Sequence, residues 1–153
     1  MKKLELLLPP LPLTLALCGI IALCAKLTPQ LSLSITSAVE WGFAFWIVGM
    51  AFVLPAAISF FKAKTTVDPR TPEKSNTLVI SGLYKVSRNP MYVGFLFIIV
   101  GTACFYGHIS GLIISALFIP YLNRFQISLE EQQLSALFGA EYEQYCKKVR
   151  RWL

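Results

Sequence analysis

The residues best equipped for chemistry fall in two short stretches, one centred on Arg88-Asn89-Pro90 and the other on Glu130-Glu131. Asn89 suits a helix N-cap, because its side-chain oxygen can accept one of the orphan N–H groups of the first turn. Pro90 suits the first helical position, where its missing N–H costs nothing. A helix start carries the positive end of the dipole, so with Arg88 beside it this spot receives a carboxylate or phosphate. Glu130 and Glu131 offer the opposite sign, and can hold an ammonium group or ribose hydroxyls. A ligand bearing both charges matches the combination. The plainer alternative is that Arg88 and the glutamates only cap helices and pair with one another.

These residues must be positioned by a membrane protein. The 153 residues are 56% hydrophobic and 14% charged, with a mean hydropathy of +0.61. Soluble domains average about 25% charged residues. The net charge of +6 is clustered at the flanks of apolar runs, which reads as membrane orientation and not as a nucleic-acid surface. We expect a single all-α integral membrane domain over 1–153, with about four transmembrane helices near 11–27, 39–61, 91–106 and 109–122. The second run spans about 34 Å at 1.5 Å per residue, enough for a hydrocarbon core of ~30 Å. The third and fourth are shorter, at about 24 and 21 Å, and only Gly107-His108 separates them, so they form a tight helical hairpin. Gly94 and Gly101 lie on nearly the same face and would allow close helix approach, the alternative being ordinary small residues of a membrane helix. Pro9, Pro10 and Pro12 delay a regular first helix until about Leu13, and Pro55 is expected to kink the second. A signal peptide is the competing reading of the N-terminal run; the absence of a small-residue cleavage site favours a retained helix.

Between the second and third runs lies a basic loop, 62–90, and after the fourth a tail, 123–153. Ser128-Leu129-Glu130-Glu131 is a capping-box pattern, with Ser128 as N-cap and Glu131 reaching back. It is expected to open an amphipathic helix whose apolar stripe, Leu134, Leu137, Phe138, Tyr142, Tyr145, Cys146 and Val149, crosses Gly139. Trp152 would anchor it at the interface. With both termini and the active site in the cytoplasm, thirteen of the fourteen Lys and Arg residues fall on that side, Lys26 excepted. Cys18, Cys24, Cys104 and Cys146 lack metal or redox spacing and read as small buried hydrophobes. With His108 the one histidine, no metal is expected.

Among ligands with both charges, S-adenosylmethionine has a carboxylate, an ammonium, a sulfonium and ribose hydroxyls. A resemblance points the same way. Thr65-Thr66-Val67-Asp68-Pro69, Leu78-Val79, Gly82-Leu83-Tyr84 and Arg88-Asn89-Pro90-Met91-Tyr92-x-Gly94 are similar to the isoprenylcysteine carboxyl methyltransferase family. So is the ending, Glu130-Glu131-x-x-Leu134-x-x-x-Phe138-Gly139-x-x-Tyr142-x-x-Tyr145-x-x-x-Val149. The resemblance covers about 62–153 and is closer to the bacterial branch. It implies an integral membrane methyltransferase using S-adenosylmethionine, with a lipophilic small-molecule or lipid acceptor arriving from the bilayer. Carried over, Gly82, Tyr84, Arg88, Asn89, Pro90, Tyr92, Glu130 and Glu131 bind the cofactor, and Arg88, Glu130 and Glu131 carry the catalysis.

Two departures stand out. Asn89 occupies a position where the family often has histidine. Gln126 stands where prenylcysteine-specific members have an arginine, which puts prenylcysteine in doubt as the acceptor. An anionic acceptor would need alignment and exclusion of water but no base, whereas an amine would need Glu130 or Glu131 to take its proton. The alternatives carried forward are a phospholipid amine N-methyltransferase and a non-catalytic membrane lipid-binding or scaffold protein.

Overall fold

A computed structural model describes residues 9–34, 36–62 and 77–153. The basic start at Lys2 and Lys3 and the 65–69 motif lie outside the described residues. Among the described residues six α-helices follow in order: α1 (Pro10–Leu27), α2 (Ala38–Lys62), α3 (Pro90–Tyr106), α4 (Ile109–Leu122), α5 (Ser128–Phe138) and α6 (Ala140–Lys148). Among the described residues there is no β-strand. Pro10–Leu27, Ala38–Lys62 and the continuous helical run Ile109–Phe138 are long and apolar enough to cross a membrane, and Pro90–Tyr106 is apolar but shorter. The fold is that of an all-helical integral membrane protein.

α1 begins at Pro10, earlier than the proline-delayed start near Leu13. Pro10 and Pro12 both fall in the first turn, where no N–H has a partner within the helix, so neither proline removes a bond. α2 runs on through Pro55 as one helix.

α3 is the axis of the bundle, packed against α1, α2 and α4. Glycines set its distance from α2. A Cβ at Gly94 would lie 2.7 Å from the Gly49 carbonyl, and one at Gly42 would lie 3.1 Å from that of Gly101. The two pairs recur at the same spacing on both antiparallel helices, so the backbones touch along one stripe. Trp46 closes the seam, its indole N–H lying 3.2 Å from both the Ile98 carbonyl and Thr102 Oγ1.

The α3–α4 turn uses Gly107 at φ +55°, a conformation that suits glycine. His108 is buried there and caps α4, its Nδ1 accepting the Ser110 N–H at 3.2 Å. Its Nε2 faces Thr28 at the end of α1.

The capping box does not form. α4 passes into α5 through a π-helical stretch, Asn123–Ile127, and Ser128 is itself helical at φ −60°, ψ −33°. An N-cap must leave helical geometry, and nothing in 123–127 interrupts the helix. The Ser128 hydroxyl instead donates back to the Arg124 carbonyl at 2.9 Å. The single tail helix is also corrected: Gly139, at φ +50°, separates α5 from α6. Tyr142, Tyr145 and Val149 then pack with Leu78, Leu134 and Phe138 as a small second core. Past it the chain folds back on the start of α3, where the Arg88 N–H donates to the Arg150 carbonyl at 2.9 Å.

Candidate functional site

The apolar part of the α4–α5 run ends at Leu122, and polar residues then occupy Asn123, Arg124, Gln126 and 130–133. The glutamates therefore follow the apolar stretch, at the end of the bundle where α3 begins. Two adjoining clusters form there.

In the first, Glu131 is held between two cations. Arg88 Nη2 lies 3.1 Å from Glu131 Oε1, and Arg151 engages both carboxylate oxygens, Nε donating to Oε1 at 3.0 Å and Nη2 to Oε2. This fork geometry is the stronger kind of ion pair. Arg88 Nη1 also contacts Cys146 Sγ, while its Nε is buried without a hydrogen-bond partner among the described residues.

In the second, Tyr92 Oη and Gln126 Nε2 both donate to Glu130 Oε1, each at 2.5 Å. Burial pushes the Glu130 carboxyl up to about 7, the two donors pulling the other way and the neighbouring Glu131 charge adding to the rise. Burial likewise pushes the Tyr84, Tyr142 and Tyr145 phenols upward, so these groups remain protonated donors. Tyr145 Oη uses that proton on the Tyr84 carbonyl, 2.6 Å away.

Asn89 occupies the N-cap position, and its carbonyl accepts the Tyr92 and Val93 N–H groups. Its side chain does not cap. Asn89 Nδ2 donates to the Arg151 carbonyl at 3.0 Å, because the returning tail offers an acceptor there; the Asn89 N–H goes to Ser87 Oγ at 3.1 Å. Pro90 is fully buried at the first helical position. Gly82 opens the preceding turn at φ +62°, and Tyr84 in that turn packs edge-on against Phe60, with ring centroids 5.4 Å apart.

Arg88, Glu130, Glu131 and Tyr92 are thus brought together, with Asn89 bound to the same tail segment, while Gly82 and Tyr84 shape the turn leading in. Sequence reading missed Arg151, and also Cys146, which it read as a buried hydrophobe. It noted Gln126 only as a departure from a pattern. A helical spacing of four before Glu130 is the signal that pairs Gln126 with it; Arg151 has no local signal at all. The Trp152 indole N–H donates to Asn123 Oδ1 at 3.0 Å.

Comparison with known proteins supplies the kinship. The sequence model of the family described as "Phospholipid methyltransferase" matches residues 32–141. A protein-S-isoprenylcysteine O-methyltransferase of Schizosaccharomyces pombe is 39% identical over 77 residues, covering 50% of this chain and 32% of the relative. Protein-S-isoprenylcysteine O-methyltransferase B of Arabidopsis thaliana is 28% identical over 110 residues, covering 72% and 56%. An uncharacterized protein of Haemophilus influenzae is 40% identical over 63 residues, 41% of this chain and all of its own. The chain spans less than two thirds of the length of these named methyltransferases. No solved structure matches it. The chain belongs to the phospholipid methyltransferase family, as a relative of the isoprenylcysteine carboxyl methyltransferases.

Proposed function

We propose that this chain is an S-adenosylmethionine-dependent membrane methyltransferase acting on a lipophilic acceptor. The observation that carries this reading is the meeting of Arg88 with Glu131 at the start of α3, next to the Glu130–Tyr92 pair, which sets one guanidinium and two carboxylates beside an apolar bundle. The donor set fits the cofactor. Arg88 is largely buried, and its Nε has no partner among the described residues, which suits a carboxylate; Glu131 suits an ammonium and Glu130 ribose hydroxyls. Asn89, Pro90 and Tyr92 would form the floor, with Gly82 and Tyr84 in the wall.

When bound, S-adenosylmethionine supplies an electrophilic methyl group that an acceptor lone pair takes as the C–S electrons return to sulfur. The chain's own residues align the partners and exclude water. For an amine acceptor, Glu130 is the available base, since its carboxyl titrates near neutral pH. The excess of Lys and Arg at this end supports a cytoplasmic site.

Calorimetric titration of the detergent-purified chain with S-adenosylmethionine tests the proposal. Saturable binding that Arg88→Ala weakens is expected. No heat at millimolar cofactor would sink the enzyme reading and leave a lipid-binding or scaffold role.

A further inference from the structure

Arg88 and Arg151 share the Glu131 carboxylate on unequal terms. The Arg88 side chain is 15% exposed, and its Nη1 also contacts Cys146 Sγ. The Arg151 side chain is 35% exposed, and its guanidinium donates to no other group among the described residues. A partly exposed cation returns to water at little cost, whereas a buried one does not. Arg151 is therefore the partner that can leave. Its backbone is held in place on both sides. The Arg151 carbonyl accepts Asn89 Nδ2 at 3.0 Å and Ser87 Oγ at 3.3 Å. The Arg150 carbonyl accepts the Arg88 N–H at 2.9 Å, and Asn123 Oδ1 holds the Trp152 indole N–H. Movement at residue 151 thus falls to the side chain, whose stem has many rotamers.

Departure of Arg151 on its own would leave Glu131, a largely buried carboxylate, short of a cation, which is costly. The cost is offset when another cation takes the same oxygens. A ligand ammonium can do so, since it carries three donors, and Arg88 stays in place to meet the ligand's carboxylate. We propose that the Arg151 guanidinium is an internal stand-in for the ligand's ammonium, holding Glu131 until an ammonium-bearing ligand takes its place and Arg151 swings into water. Arg151 then lowers the apparent affinity for that ligand, because only the molecules in which Glu131 is released can bind it. The identity of the ligand as S-adenosylmethionine rests on the methyltransferase reading above; the exchange itself rests on the ion pairs.

The test titrates the full chain in detergent with S-adenosylhomocysteine, whose sulfur is uncharged, so that the ammonium is the ligand's one cation. Arg151→Met, which keeps an apolar stem, should bind it at least threefold more tightly than the unsubstituted chain. The deamino analogue, which lacks the ammonium, should show no such gain. A second measurement needs no adenosyl ligand. Arg151→Ala deletes the equivalent of ethylguanidine, so its melting temperature should fall. Millimolar ethylguanidinium chloride should raise it again, relative to sodium chloride at the same concentration, and this recovery should vanish when Glu131→Gln is added. If Arg151→Ala does not fold, the Arg151→Met comparison decides. Weaker or unchanged binding of S-adenosylhomocysteine by Arg151→Met overturns the proposal and makes Arg151 a fixed contact, as does a melting temperature of Arg151→Ala that ethylguanidinium leaves unmoved. Recovery in a chain that binds no S-adenosylhomocysteine keeps the exchange at Glu131 and removes only its link to methyl transfer.

Discussion

The Arg88 guanidinium lies 3.1 Å from the Glu131 carboxylate, although one residue precedes the α3–α4 hairpin and the other follows it. The pair closes the hairpin at its polar end, so the same contact that builds the candidate site also ties the tail to the membrane helices. Arg151 completes the arrangement from the far side of Glu131.

Removing the two partners should therefore have unequal consequences. Arg88→Ala leaves Glu131 its bidentate bond with Arg151, whereas Glu131→Ala leaves two guanidinium groups facing each other without their anion. Both changes should weaken S-adenosylmethionine binding by tenfold or more. Glu131→Ala should cost about 1–3 kcal/mol more of folding stability. Melting temperatures in detergent, measured beside the binding titration, check this; an Arg88→Ala chain less stable than Glu131→Ala would contradict it.

Glu130 predicts a pH dependence. Its carboxyl is raised to about 7 in the folded chain, against about 4.3 for an unperturbed glutamate. The folded state thus favours the neutral form, and the associated stability is fully present below about pH 4.3 and lost as pH rises through about 7. Glu130→Gln keeps an acceptor for Tyr92 and Gln126 but cannot ionise. The fall in melting temperature between pH 5 and pH 8 should be smaller in Glu130→Gln than in the unsubstituted chain. Equal falls would show that Glu130 is not the group responsible.

The glycine stripe gives a cleaner packing test. Gly94→Ala places a Cβ 2.7 Å from the Gly49 carbonyl, which must separate α2 from α3 at a cost of about 1–3 kcal/mol. Gly19→Ala meets nothing within 4 Å and should be neutral or slightly stabilising. Thermal unfolding of the two chains side by side decides it, and equal behaviour would remove the stripe from the account of packing.

At the opposite end, His108→Ala removes the cap of α4 and the link to Thr28. A loss of about 1–2 kcal/mol is expected, partly restored by His108→Asn, which keeps a capping acceptor. Cofactor binding should be unchanged, because this contact lies at the far end of α3 from Arg88.

The membrane helices were legible because hydropathy is a local property: the reading of 39–61 and 91–106 falls within a residue of Ala38–Lys62 and Pro90–Tyr106. The glycine seam was half visible, through Gly94 and Gly101; their partners Gly42 and Gly49 need the helix pairing to be known. At the candidate site, motif spacing singled out Arg88 and the glutamates, which the structure brings close together. What it could not supply was the tail's return, which is why the side-chain bond of Asn89 to Arg151 and the ion pair of Arg151 escaped. The capping box failed for a related reason. Ser-x-x-Glu marks where a helix can start, and says nothing about whether the preceding helix has stopped.

The π-helical stretch Asn123–Ile127 decides which way the glutamates point. A wide turn of this kind carries one residue more than a regular one, and so offsets the angular phase of everything after it relative to α4. Deleting a single residue within 123–127 would turn Glu130 and Glu131 by about 100° around the helix axis, away from Tyr92 and Arg88, with every membrane-embedded residue of α4 still in place. The insertion works as a dial between two halves of one rod, the apolar half and the half that carries the candidate site.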